Sequence, residues 1–437
     1  MARSQRVAQA VRTPERRRTL LVLSQVYVPD PASVGQHMAD AAAEMVRRGW
    51  RVIVLTSRDG YDDPSIRYPS RETRDGVDIR RLRWCSFGKR SILVRLLGGL
   101  SFVLQAILRG CWLGSLDVVL VSTAPPMASS AALVIGRLRG AALKFWVMDL
   151  NPDQMIALGR LHPTALPVRL LDWLNRRILA RAADVVVLDR FMAQRINAKR
   201  DVSDKLSIIP PWPLDDHLEP VPHAVNPFRT AHGLDGKLVV MYSGNHGPSN
   251  PFSTILEAAA RLQHESRLVF MFIGGGVGKR EVEAAGLPNV RSLPYQPLET
   301  LRYSLSAADV HLVTMGDELV GIVHPCKVYG AMAVARPILL VGPGVSHVGD
   351  LLEREPVGWT LRHGDVEGAV RLLERLVEMT AAEREMRGER ARAMIGAELS
   401  KTLLCGRFCD VLERGTPYAR SALRKQLTQA VPRVGAT

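Results

Sequence analysis

The chain has 437 residues, enough for two or three domains at ~150 residues each, so a peptide or a disulfide-stapled miniprotein is excluded. With 47% hydrophobic and 23% charged residues it has the balance of a globular chain and not of a disordered one. Lys+Arg 58 against Asp+Glu 43 leaves a net charge of +15, which favours an anionic partner: nucleic acid, phospholipid head groups or a phosphorylated ligand.

In chain order, the first eighteen residues carry six arginines (Arg3, Arg6, Arg12, Arg16, Arg17, Arg18) and no apolar stretch, which reads as a flexible basic arm over 1–18 and not as a secretory signal. Thr19 to Leu23 is a short apolar strand, followed by a loop from Tyr27 to Gly35. A helix comes next, in which Met38, Ala41, Ala42, Met45 and Val46 recur at helical spacing before Gly49. Further apolar runs at Arg51 to Thr56, Val118 to Val121, Leu143 to Met148, Val185 to Leu188 and Leu206 to Ile209 alternate with helical patterns. Such a βαβ series builds a mostly parallel sheet, giving a first domain over 19–212.

Within it, Leu96 to Leu108 is interrupted only by Gly98, Gly99, Ser101 and Gln105. At ~1.5 Å per residue this covers about 20 Å, short of the ~30 Å hydrocarbon core of a bilayer. With Arg80, Arg81, Arg83, Lys89 and Arg90 upstream, two readings stand: a helix lying in an anionic membrane face, or a buried helix with solvated basic ends.

Prolines crowd the next segment, Pro210, Pro211, Pro213, Pro220, Pro222 and Pro227, predicting a semi-rigid linker over 213–236. A second βαβ series follows over 237–400, with strands at Val239 to Tyr242, Leu268 to Ile273, Val290 to Leu293, Val310 to Thr314 and Ile338 to Val341. A helix is expected near Thr254, with Glu257 completing a capping box. Residues 401–417 read as a C-terminal helix that returns to the first domain, and 418–437 as a basic tail. Two α/β domains joined by one linker leave a cleft between them, where small-molecule sites form. The five cysteines include no C-x-x-C pair, which argues for a reducing compartment without a disulfide framework or structural zinc.

Gly274-Gly-Gly-Val-Gly-Lys279 follows a strand but fails both phosphate-loop templates: Ile273 stands where a Walker A needs glycine, Arg280 where it needs Ser or Thr, and Lys279 where G-x-G-x-x-G needs glycine. What remains is a glycine turn delivering Lys279 and Arg280 to the edge of a sheet, where ligands of open α/β folds bind. His324-Pro-Cys-Lys-Val328 is a stronger signal. Pro325 marks a helix start with free N–H groups, and Lys327 in its first turn is electrostatically misplaced unless an anion, such as a diphosphate, neutralises it. Ser243-Gly-Asn-His-Gly247 follows the first strand of the second domain and offers further N–H donors. His246 and His324 read as loop residues and not as metal ligands. No aromatic interleaving or helix-turn-helix cue supports a nucleic-acid partner.

Taken together, Tyr242 to Gly247, Gly274 to Arg280, Leu293-Pro-Tyr-Gln-Pro297, Ala308-Asp-Val310 and Pro325 to Gly330 with Arg336-Pro337 resemble the retaining family 4 glycosyltransferases. The nearest subgroup is the one associated with cell-surface polysaccharide assembly. Asp149-Leu-Asn-Pro-Asp153 is similar to that family's Asp-Leu-Trp-Pro-Glu segment. The resemblance implies a GT-B fold, in which two Rossmann-like domains hold an acceptor site in the first and a nucleotide-sugar donor site in the second. It further implies that Gly35 and Gly244 let backbone approach the diphosphate, that Lys327 holds it with help from Lys279 or Arg280, and that Asp149 orients the acceptor or the transferred sugar.

Asn245, His324 and Val328 complete the donor set implied by the resemblance. No metal or other cofactor is required. The family's acidic pair would fall on Ile322 and Gly330, leaving Glu318 as the candidate substitute. The expected partners are a nucleotide sugar, a lipid-linked or glycan acceptor and an anionic membrane surface, on the cytoplasmic face of the plasma membrane. A nucleotide-sugar epimerase and a catalytically silent partner of another transferase stand as alternatives.

Overall fold

The computed structural model describes residues 16–30, 32–60, 63, 65–85, 92–123, 125–214 and 218–415. Most of the expected basic arm, Lys89 and Arg90, and the 418–437 tail lie outside the described residues.

The first domain runs β1 (Thr19–Leu23), α1 (Ser33–Arg47), β2 (Arg51–Ser57), β3 (Arg71–Arg74), β4 (Val77–Leu82), α2 (Ile92–Cys111), β5 (Val118–Ser122), α3 (Ala128–Arg139), β6 (Ala142–Trp146), α4 (Asp153–Ala157), α5 (Leu166–Arg181), β7 (Asp184–Val187), α6 (Arg190–Lys199) and β8 (Leu206–Ile208). Its sheet has the order β3-β4-β2-β1-β5-β6-β7-β8, parallel except for the β3–β4 hairpin. Central parallel strands are covered on both faces, so they must be apolar throughout. β1 and β5 are accordingly buried at every position, with Leu21 opposite Ile53 on one side and Val119 on the other. The expected arm is shorter than 1–18, because Arg16 pairs with Asp117 at 3.0 Å and Arg18 pairs with Glu413 while lying over the Trp50 ring.

The second domain runs α7 (Pro227–Ala231), β9 (Leu238–Ser243), α8 (Ser253–Arg261), β10 (Leu268–Ile273), α9 (Lys279–Ala284), β11 (Val290–Leu293), α10 (Leu301–Ser306), β12 (Val310–Thr314), α11 (Lys327–Ala333), β13 (Ile338–Val341), α12 (His347–Arg354), β14 (Gly358–Leu361), α13 (Val366–Glu378) and α14 (Ala381–Met394). Its sheet is β11-β10-β9-β12-β13-β14, parallel throughout.

Two expectations are corrected here. The linker ends before 227: Phe228 and Leu234 sit in the second domain's core, and the buried Arg229 guanidinium donates to the Ala307 carbonyl while pairing with Asp309 at 3.2 Å. Thr254 caps nothing, since α8 begins at Ser253 and the Thr254 hydroxyl accepts the Gly364 amide. The capping box belongs to Thr380 and Glu383 on α14.

The last helix, α15 (Lys401–Glu413), packs on the first domain. Phe408 lies 4.2 Å, centre to centre, from the Trp146 ring, which stacks on Trp212. The buried Lys144 ammonium, paired with Asp184 at 2.5 Å, donates to the carbonyls of Val411 and Arg414 at the end of α15. There the cation meets the negative end of the helix dipole.

Candidate active site between the two domains

Parallel strands end on the same side of a sheet, so the turns after β9 and β10 lie side by side. Gly244 has φ +136° and Gly274 φ +137°, conformations that side chains rarely adopt. A Cβ on Gly274 would come within 2.0 Å of the Gly244 carbonyl, and one on Gly244 within 2.6 Å of Lys327 Cε. The two turns therefore interlock, and the stem of Lys327, the first residue of α11, runs across them. Its ammonium lies 5.0 Å from the centre of the Tyr242 ring, a cation–π contact. Among the described residues no carboxylate pairs with it. Burial holds the amine at about 8, below its usual 10.5, because little nearby offsets the loss of solvent.

The first domain approaches at the segment after β6. The Leu150 amide donates to the Ile322 carbonyl at 2.9 Å. Asp149 donates its own amide to the Thr123 hydroxyl, while burial raises its carboxyl to about 6. Its charge also reaches across the seam: the Cys326 thiol is pushed up to about 12, first by burial and then by Asp149. One residue on from Cys326 stands Lys327. Among the described residues neither Lys327 nor Asp149 has an ion-pair partner; both are desolvated and both act on Cys326, and each would be stabilised by a ligand bearing the complementary group.

Other predicted residues are placed differently. The α11 start is not an array of free N–H groups: it begins at Lys327 and not at Pro325, the Val328 amide goes to the Pro325 carbonyl, and that of Tyr329 to Cys326. Val328 itself is fully buried core, so its side chain is no donor contact. Lys279 is turned back on its own loop, donating to the Gly274 and Leu293 carbonyls at 3.3 Å each, 3.8 Å from Glu283; it braces the turn and is not free for an anion. Arg280 is exposed.

Asn245 is exposed too, and its carbonyl accepts the Tyr242 hydroxyl at 2.6 Å. Glu318 is exposed on a single turn after β12. Gly35 uses its missing side chain against its own domain, where a Cβ would sit 3.0 Å from Tyr27 Cα. His324 does not face a donor. It is buried, with Nδ1 2.8 Å from Asp189 and Nε2 2.8 Å from the Tyr329 hydroxyl, which is 2.9 Å from His347 Nε2. Asp189, His324 and His347 offer ligand atoms within 4.8 Å of one another, but the Tyr329 hydroxyl stands bonded to both rings.

Away from the seam, a cavity of about 380 Å³ is lined by Arg229, Lys237, Arg267 and Arg384. Each of these cations is already held by a carbonyl or carboxylate, so none of the four is left for an anion. The helical side of the first domain is another matter. On α2, Leu97, Leu100, Leu104 and Leu108 are exposed, as are Leu138 on α3 and Leu166, Leu170 and Trp173 on α5, and α3 packs between the other two. Exposed Arg109, Arg137, Arg169 and Arg181 lie among them. The expected basic flank is corrected at two positions: Arg80 pairs with Asp78, and Arg81 is buried on Glu72, while Arg83 is exposed. Phe102 is core. Among the described residues no helix is long and apolar enough to cross a membrane.

Residues 33–212 match the model of the glycosyl transferase 4-like domain. The chain is 26% identical over 368 residues to the probable glycosyltransferase WbjE of Pseudomonas aeruginosa, covering 82% of this chain and 90% of that protein. It is 25% identical over 359 residues to the putative colanic acid biosynthesis glycosyl transferase WcaI of Escherichia coli K12, covering 77% and 86%. In fold it resembles Anabaena Alr3699/HepE, solved with UDP-glucose, with a TM-score of 0.67, 13% identity, and 90% of this chain and 99% of that one covered. The two mostly parallel sheets are thus those of the GT-B fold, and both the match of residues 33–212 and the two sequence relatives point to a glycosyltransferase.

Proposed function

We propose that the protein transfers a hexose or N-acetylhexosamine from a nucleotide diphosphate sugar, with uridine as the base, to a lipid-linked or glycan acceptor with retention of configuration. The observation that carries this is Lys327: a desolvated ammonium with no carboxylate partner among the described residues, laid over two interlocked glycine turns and three residues past His324, which the first domain holds. A diphosphate supplies the missing negative charge. As the sugar–phosphate bond breaks, charge grows on the leaving oxygen, and a fixed ammonium in a dry site stabilises it more than it does the bound donor. The leaving diphosphate then accepts the acceptor hydroxyl's proton on the same face of the sugar, so no enzyme nucleophile is needed. Asp149, whose carboxyl is half protonated near pH 6, orients the acceptor or a sugar hydroxyl. The UDP-glucose complex of the HepE fold relative favours uridine, and no metal is required in this scheme.

The exposed leucines and arginines of α2, α3 and α5 support contact with an anionic bilayer, apolar side chains entering and cations meeting head groups. It would bring the acceptor domain to a lipid-linked substrate and make the protein peripheral on a cytoplasmic membrane face. A catalytically silent partner is the reading favoured by Ile322, whose side chain is buried and carbonyl occupied, and by Gly330, which together replace the family's acidic pair.

The test is incubation of purified protein with a panel of nucleotide diphosphate sugars, with and without lipid extract, followed by analysis of products. Acceptor-dependent release of the nucleoside diphosphate is expected. Interconversion of donors without acceptor would indicate an epimerase, and no turnover with any donor a silent partner.

A further inference from the structure

The segment carrying Lys327 is gripped by the first domain at four residues between 320 and 324. Arg195 of α6 donates to the Val320 carbonyl at 2.5 Å. Gly321, at φ +70°, is pressed on the first turn of α6, where a Cβ would lie 2.6 Å from the Phe191 carbonyl carbon and oxygen. The Leu150 amide holds the Ile322 carbonyl. His324 is bonded to Asp189, which also caps α6 by accepting the Met192 amide at 2.8 Å.

From His324 the chain of hydrogen bonds continues into the second domain through Tyr329 to His347 at the start of α12. One turn on, Asp350 of α12 pairs back to Arg190 of α6, next to Asp189, at 2.6 Å. The Asp189 carboxyl stays below its usual range: burial alone would raise it, but the hydrogen bond and charge of His324 outweigh burial. The contacts between the domains join residues more than 120 apart in sequence, and Pro325 and Cys326 alone separate the gripped stretch from Lys327.

We propose that this seam is a latch and that Asp189 and Gly321 are positioning residues for the donor site. With the domains engaged, residues 320–324 are fixed against α6, and α11 starts where the Lys327 stem crosses Gly244. With the seam open, that loop loses four anchors and the lysine its fixed place. The first domain thereby controls diphosphate binding by the second without touching the donor. This rests on the reading of Lys327 as the diphosphate cation, and it adds which groups set its position.

The test uses the full chain as wild type, Asp189→Ala, Asp189→Asn and Gly321→Ala. Two readouts are taken: the pH titration of the Lys327 Cε signal in protein labelled with 13C-lysine, and UDP affinity by calorimetry. The wild-type lysine is expected to titrate below the ordinary lysine range, at about 8. In Asp189→Ala and Gly321→Ala it moves towards the ordinary lysine range, and UDP binds at least tenfold more weakly. Asp189→Asn keeps the volume and the α6 cap and stays within threefold of wild type, which a loss of fold could not produce.

The latch is overturned if wild type binds UDP and both Asp189→Ala and Gly321→Ala bind it within threefold, with Lys327 titrating as before. If wild type binds no nucleoside diphosphate while the lysine titration still moves in the variants, the latch stands and the diphosphate reading falls. Should Gly321→Ala fail to fold, the Asp189 pair decides alone.

Discussion

Replacing Lys327 by methionine should stabilise the ligand-free protein. The side chain keeps its length, so packing over Gly244 and against Tyr242 is retained, while the charge that burial opposes is removed. The amine's fall from 10.5 to about 8, converted at about 1.4 kcal/mol per pH unit, means that the charged form costs the native state about 3.5 kcal/mol. Loss of the contact with the Tyr242 ring gives back about 0.5–1 kcal/mol, so a net gain of about 2.5–3 kcal/mol is expected at pH 7.

The sign follows from linkage. Between the folded and unfolded values the unfolded chain binds the extra proton, so wild-type stability rises with pH through that window, and the penalty is full only below it. Urea unfolding of wild type and Lys327→Met at pH 7 and pH 10 should show the variant ahead at the lower pH and the gap nearly closed at the higher. A variant less stable at pH 7, or a gap independent of pH, would refute the picture of a desolvated, unpaired ammonium.

Asp149→Asn should behave in parallel: the raised carboxyl destabilises the fold as pH rises through about 6, so the amide should gain stability at pH 8 and little at pH 4, while turnover drops by about two orders of magnitude, read by denaturant melts and product formation. Lys144→Met leaves Asp184 buried without its cation and frees the end of α15; about 3–5 kcal/mol should be lost, and limited proteolysis should cut near the end of that helix. Leu104→Asn with Trp173→Ser changes only exposed positions, so flotation with anionic vesicles should fall while the melting temperature holds. Phe102→Ala, in the core of the same helix, should instead cost about 3–5 kcal/mol.

Most strands were legible because a parallel sheet covered on both faces requires unbroken apolar runs, and β1, β5, β9 and β10 are such runs. β3 and β4 were not, since their Arg-Glu-Thr-Arg and Val-Asp-Ile-Arg patterns are held by cross-strand charge pairs such as Arg71–Asp78, which look like loop residues in sequence. Lys327 stood out because a cation at a helix start conflicts with the dipole. The fate of Lys279 could not be read, because a lysine after a glycine run looks alike whether it faces a ligand or its own carbonyls. Nor could that of His324, whose partner Asp189 lies on the other domain. The exposed leucines of α5 have the same periodicity as buried ones, and only the tertiary packing separates the two.

Calorimetric titration of UDP and of uridine into wild type and Lys327→Met tests the central claim most directly. Wild type should bind UDP at least tenfold more tightly than uridine, and the variant should lose most of that difference while binding uridine as before. Equal affinities for UDP and uridine in wild type, or an undiminished preference for UDP in the variant, would show that Lys327 does not hold a diphosphate.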